Sequence, residues 1–250
     1  MPTHGHATFG QTHWRKAPNV PPTVGQWPTV YFVQMSMCLG FKGTDVSKVD
    51  HIIRAACATT LAALALCGNA WAQADEARAK KISGGSCFLC HGAQGESTSE
   101  VFPRLAGQDA QYIAKQLAAF KSGARKSTAM ADMAAKLTPD EMLALGTFYQ
   151  KMELPKEEPK DPQLAGMGHY LFHNGNKFSG VPACVACHGV NAEGSANLPR
   201  LGRQFAGYIE TQLKQFNKRD RNNDNAVMHM VAEKMTELEM HAVAEYLSGK

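Results

Sequence analysis

Apolar and polar positions follow a helical period in two stretches of this chain that copy each other. From Asp109 to Ser122 the large apolar or aromatic residues stand at Tyr112, Ile113, Leu117 and Phe120, one face of a helix, and the same set returns at Tyr208, Ile209, Leu213 and Phe216, 96 positions later. Further on, Thr138-Pro139-Asp140-Glu141 and Thr236-Glu237-Leu238-Glu239 read as helix capping boxes, the first with proline at the favoured opening position. Behind them Met142, Leu145 and Phe148, and in the second copy Met240, Val243 and Leu247, form stripes to be buried. The run Thr138 to Phe148 matches Thr236 to Tyr246 at an offset of 98, and Pro103-Arg104-Leu105 recurs as Pro199-Arg200-Leu201. Such repetition is the mark of a duplication, and the pattern within each copy predicts an all-α fold.

The copies are separated by a charged segment, Met152 to Pro162, in which Pro155, Pro159 and Pro162 oppose a continuous helix. This places one domain at 75–152, a linker at 153–162 and a second domain at 163–250. Upstream, Arg54 precedes an apolar run from Ala55 to Cys67, followed by Ala70-Trp71-Ala72 and Ala72-Gln73-Ala74. A charged end, a short apolar stretch and small residues at a cleavage site make residues 46–74 a secretory signal, cut after Ala72 or Ala74. The run is too short to span a bilayer comfortably, since spanning takes about 20 residues. Residues 1–45, rich in Pro and Gly, read as an extension ahead of the true start, with initiation at Met37 or near Val46 to Val49.

Cysteine usage then changes the picture. Cys38, Cys57 and Cys67 precede the mature chain, and the other four fall in Cys87-Phe88-Leu89-Cys90-His91 and Cys184-Val185-Ala186-Cys187-His188. C-x-x-C-H is the attachment pattern of a c-type haem. Two thiols one helical turn apart can form thioethers with the haem vinyls, and the next residue brings its imidazole to the iron. A redox dithiol or half of a zinc site would also use C-x-x-C. The trailing histidines, and a separation of 94 residues between the pairs where a zinc ribbon has ~15–20, favour two covalently bound c-type haems. Each unit of roughly 80 residues is marginal for an independent apolar core, so such a group would also serve as the centre of its fold.

The second axial ligand decides between an electron carrier and a catalyst with an open position. A thioether suits haem iron and raises its potential relative to a second imidazole. Met130 and Met228 each lie seven residues before the apolar position, Leu137 or Met235, that precedes the capping threonine. They are the expected ligands, with His91 and His188 opposite them. Met133 and Met230 do not correspond to one another and read as packing residues. His229 is a rival to Met228, while His169, His173 and His241 have no counterpart in the first copy and read as surface or satisfied polar groups; His4, His6 and His13 lack ligand spacing.

A formal charge of +4 is too weak a bias for nucleic-acid binding. Ten basic side chains stand against eight acidic ones in residues 73–152, and nine against eight in 163–250, so the halves carry +2 and +1. Lys214, Lys218, Arg219 and Arg221 could guide a partner but read first as a solvated helix end.

The paired C-x-x-C-H-G motifs, Pro-Arg-Leu after each, the Gln-Leu helix, the methionine loop and the closing helix resemble the dihaem class I cytochromes of the c(4) type over residues 75 to 250. The resemblance implies two tandem class I cytochrome c folds about a pseudo-twofold axis, with their haems close together. It also implies that the carbonyls of Pro103 and Pro199 orient His91 and His188, although the spacing from histidine to proline is 12 residues in one copy and 11 in the other. The function it implies is periplasmic transfer of single electrons from a cytochrome bc complex to a haem-copper oxidase, with peripheral membrane association as an added expectation. Two other readings stay open: the cytochrome subunit of a periplasmic dehydrogenase, and a dihaem peroxidase, which would need an open or releasable iron position.

Overall fold

Helices begin where the side chains can satisfy the free N–H groups of a first turn, and the computed structural model, which describes residues 75–250 apart from Pro155 and Asn197, shows this at most starts. The extension 1–45, the secretory signal 46–74, Cys38, Cys57, Cys67, His4, His6 and His13 lie outside the described residues. In the first half, α1 covers residues 75–91, with a widened π turn at Ser83–Cys87. Helix α2 (Ala110–Ser122) starts with Asp109 accepting from Tyr112 N and stops at Gly123, φ 78°. Helices α3 (Thr128–Ala134) and α4 (Pro139–Gln150) follow, α4 with both bonds of its capping box formed. The second half contains α5 (Pro162–Asn174), α6 (Val185–His188), α7 (Ala206–Asn217), α8 (Val227–Ala232) and α9 (Glu237–Ser248), α9 again opened by a complete capping box. Among the described residues there is no strand, only the isolated bridges Asn176 to Val181 and Ser195 to Leu198.

Two of these helices escape the periodicity argument. Helix α1 leads directly into the first cysteine motif. Pro162, read above as the end of the linker, opens α5 instead: it occupies the first turn, where no N–H is needed, and Asp161 accepts from Gln163 N and Leu164 N.

Each half has its own core. Ala79, Ile113, Met142, Leu145, Phe148 and Tyr149 fill the first; Phe172, Ile209, Leu213, Phe216, Met240 and Leu247 fill the second. Tyr149 is buried with its hydroxyl 2.7 Å from Ser83 Oγ, and burial pushes the phenol up to about 12, so it remains neutral. Helix pairs approach closely where a side chain is missing. A β-carbon on Gly146 of α4 would fall on the Ala110 carbonyl of α2, and one on Gly168 of α5 would fall on the Ala242 carbonyl of α9.

The halves join through polar side chains repeated at the same offset of 96. Arg125 donates to Gln116 of its own half at 3.0 Å and, across the join, to the Tyr208 hydroxyl and Gln212, both at 2.8 Å. Arg221 mirrors it, donating to Gln212 at 2.7 Å, and across the join to the Tyr112 hydroxyl at 2.9 Å and Gln116 at 3.2 Å. Their guanidinium groups lie over Phe120 and Phe216 respectively. Arg221 is therefore not part of a solvated helix end. It is 7% exposed and belongs to the join, whereas Lys218 and Arg219 beside it are exposed and Lys214 pairs with Glu210.

The α5–α9 contact gives a paired test. Gly168→Ala should destabilise the protein by ~1–3 kcal/mol, because the added carbon meets backbone that cannot swing aside. Gly166→Ala, two residues away with nothing within 4 Å of the added carbon, should stabilise it by ~0.5–1 kcal/mol through helix propensity. Urea unfolding of the two variants measures both signs.

Candidate haem sites

The two C-x-x-C-H segments adopt one local design. In the first half the motif is the last turn of α1; in the second, Cys184 precedes the short α6. Both turns end on a glycine, Gly92 at φ 80° and Gly189 at φ 82°, a backbone region that side-chain-bearing residues avoid. The carboxylates of Glu96 and Glu193 sit where a β-carbon on those glycines would point, and accept from Gln94 N and Asn191 N, each at 2.8 Å.

None of these four cysteines pairs in a disulfide; Cys90 and Cys187 are exposed, Cys87 and Cys184 half-buried. Burial pushes the Cys87 thiol up, and takes Cys184 to about 11. Among the described residues no group of three or more His, Cys, Asp or Glu side chains is placed to hold a metal ion by itself.

His91 and His188 are buried, each 6% exposed. His91 Nδ1 lies 2.8 Å from the Pro103 carbonyl oxygen, and His188 Nδ1 lies 3.1 Å from that of Pro199. A carbonyl only accepts, so Nδ1 carries the proton in both rings and Nε2 presents its lone pair. Burial holds both imidazoles below the usual histidine range, with the carbonyl bond opposing it, so each ring is neutral. The unequal spacing to the proline is absorbed in the loop. Gly95 and Ala192 occupy matching places, each taking two N–H groups from the Leu-Ala or Leu-Gly pair after the Pro-Arg, and the extra residue lies between Ser97 and Pro103.

Met130 and Met228 occupy equivalent first turns, of α3 and α8. Each is half-buried, with its N–H held by an upstream side chain, Ser127 Oγ for Met130 and Asp224 Oδ2 for Met228. Met133 and Met230, expected to pack, are instead 48% and 51% exposed, because each falls on the outer side of its short helix. His229 Nδ1 lies 2.9 Å from the Phe216 carbonyl oxygen and its Nε2 3.3 Å from a Glu233 carboxylate oxygen. His173 bonds the Tyr246 hydroxyl at 3.1 Å and His241 bonds Glu210 at 2.8 Å, while His169 packs on Tyr246.

The residue chemistry in each half fits a covalently held haem: two adjacent thiols, a buried neutral imidazole of fixed tautomer, and a half-buried thioether on a separate helix. Sequence reasoning missed the groups that surround the prolines. Gln204 Oε1 accepts from Arg104 N at 3.0 Å and its Nε2 donates to the Arg104 carbonyl at 3.0 Å; Gln108 does the same to Arg200, at 2.8 and 3.0 Å. The signal was present, since Gln108 and Gln204, like Arg125 and Arg221, recur at the offset of 96 already used for the apolar residues.

Comparison with known proteins agrees with this geometry. The family model described as Cytochrome c matches twice, over residues 76–171 and 172–249. Cytochrome c4 of Thiocapsa roseopersicina is 41% identical over 182 residues, covering 71% of this chain and 91% of its own length. The thiosulfate dehydrogenase electron acceptor of Thiomonas intermedia strain K12 is 38% identical over 186 residues, covering 72% and 85%. The crystal structure of reduced recombinant cytochrome c4 from Pseudomonas stutzeri superposes with a TM-score of 0.65 at 33% identity, over 70% of this chain and 97% of that one. The chain belongs to the cytochrome c family and, like its cytochrome c4 relatives, holds two cytochrome c domains in tandem with covalently bound c-type haem.

Proposed function

We propose that this protein is an exported carrier of single electrons in which His91 and Met130 hold one iron and His188 and Met228 the other. The observation that carries the reading is the repeated pairing of a buried, Nδ1-protonated histidine with a proline carbonyl directly beside two thiols. The bound haems supply reversible one-electron chemistry. The protein's residues do the rest: Cys87, Cys90, Cys184 and Cys187 would anchor the haems by thioether bonds, Pro103 and Pro199 fix the imidazole rings, and Met130 and Met228 would supply the second side-chain ligands. Held by two side chains each, the irons would serve a carrier, which needs no open position for a substrate.

In this reading the leader at 46–74 directs the chain to the periplasm, and the partners are redox proteins. A cytochrome bc complex as donor and a haem-copper oxidase as acceptor, with peripheral membrane association, suit a free carrier. A periplasmic dehydrogenase as donor is favoured by one specific observation, the 38% identical relative named as an electron acceptor of thiosulfate dehydrogenase. Among the described residues no helix is long and apolar enough to cross a membrane.

The reading is tested by measurement. The mature protein should retain two haems after acid-acetone extraction, and Cys184→Ala with Cys187→Ala should leave one; zinc and no haem in the unaltered protein would overturn it. N-terminal sequencing of the exported protein should begin at Gln73 or Asp75. Both ferric irons should be low-spin with the weak red-edge band of iron–sulfur ligation, and Met130→His should lower the potential of one haem while leaving it low-spin. Met133→Ala and Met230→Ala should leave both bands in place. Rapid turnover of hydrogen peroxide by the unaltered protein would replace the carrier by a peroxidase.

A further inference from the structure

The peptide group joining Pro103 to Arg104 is hydrogen-bonded at both ends, and the two bonds lead to different halves of the molecule. Its carbonyl accepts from His91 Nδ1 at 2.8 Å, and its N–H donates at 3.0 Å to Oε1 of Gln204, 100 residues away in the second half. The twin peptide, Pro199 to Arg200, accepts from His188 Nδ1 at 3.1 Å and donates at 2.8 Å to Gln108 of the first half. The amides are fixed in orientation. Each Nε2 donates to the carbonyl of the clamped arginine, and each Oε1 also receives the N–H of the residue that follows it, Phe205 at 3.1 Å and Asp109 at 3.0 Å. Both glutamines are 8% exposed, so water does not take over these bonds.

We propose that Gln204 and Gln108 are positioning residues that act in trans, each setting the basicity of the iron-binding histidine in the opposite half through a shared peptide group. The proposal rests on His91 and His188 being the ligands. A peptide whose N–H is engaged becomes more polarised, and its carbonyl becomes a better acceptor. A better acceptor draws the Nδ1 proton outward and makes the imidazole a stronger donor at Nε2. A more electron-rich ligand favours ferric iron and lowers the potential. The chain His91, Pro103–Arg104, Gln204 is thus a three-part relay across the join, and His188, Pro199–Arg200, Gln108 is its mirror. A glutamine that merely held the halves together would act on both sites alike; the relay acts on one.

The test uses the mature, haem-loaded protein. Gln204→Met removes the acceptor while keeping length and volume. It should raise the potential of the haem attached at Cys87 and Cys90 by several times more than it moves the other, and shift the Nδ1 proton resonance of His91 upfield in the ferrous protein. Gln108→Met should give the reverse pattern, at His188. Gln204→Glu keeps an acceptor at the same place and should move both readouts of the first half in the opposite direction; it stands in if the methionine variant does not accumulate. Equal shifts at both haems, a shift confined to the glutamine's own half, or no shift would overturn the relay. Failure of the ligand assignment looks different: the His91 and His188 ring protons of the unaltered protein would show no haem-shifted resonances.

Discussion

An imidazole that is to bind metal through Nε2 has to be neutral, dry and fixed in one tautomer, and a buried Nδ1–H without an acceptor would cost about 1–3 kcal/mol. The proline carbonyls answer that demand in both halves. Much of the surrounding structure follows from bringing the two groups together. The glycine turn after each histidine reverses the chain. The loop then folds back over Gly95 or Ala192, and the Pro-Arg segment arrives against the ring. The same segment carries the peptide N–H that the other half clamps, so the geometry of one site and the joining of the halves depend on the same residues.

The join is polar at its centre. Arg125 and Arg221 each serve acceptors in both halves, and Gln116 and Gln212 each receive from both arginines. Gln116 and Arg221 are buried, and leaving either without a partner costs about 1–3 kcal/mol. An apolar seam would tolerate sliding; this one closes only in the register where all partners meet. Stacking on Phe120 and Phe216 fixes the guanidinium planes, which limits the entropy lost when the bonds form. The Arg104 guanidinium adds a further crossing, donating to the Arg203 carbonyl at 2.8 Å and pairing with Glu157 of the linker.

What the sequence made legible was whatever local chemistry or repetition specifies. The capping boxes at Thr138 and Thr236 and the stripes behind them depend on residues three or four apart, and the cysteine motif is complete within five. Residues whose role depends on a distant partner were less readable. Arg221 looks like any basic residue after a helix, and only the fold brings it to Tyr112, 109 positions away. Gln108 and Gln204 are polar residues outside any motif. Met133 and Met230 read as packing residues because they lack a repeat partner, yet absence of correspondence says nothing about burial. Helix α1 was missed because its buried positions, Ala79 and Ser83, are small and produce no apolar stripe.

Duplication gives two sites of one design, and an electron passing between two equal sites has no preferred direction. Here the difference lies outside the residues expected to bind iron. Arg104, beside the first proline, is fully engaged: its guanidinium meets the Glu96 and Arg203 carbonyls, the Glu157 carboxylate and the Phe205 ring. Arg200, its twin, has a buried Nε without a partner and faces Arg203, whose own Nε is also unpartnered. Burial, together with the Arg203 charge, holds the Arg200 guanidinium below its usual range, against the weaker pull of Glu193. Position 203 corresponds to Gly107 in the first copy, and the linker carboxylate that neutralises Arg104 has a single location in the chain. One substitution and one unrepeated segment therefore make the surroundings of Arg104 and Arg200 unlike, although the proline that each follows is held to its histidine in the same way.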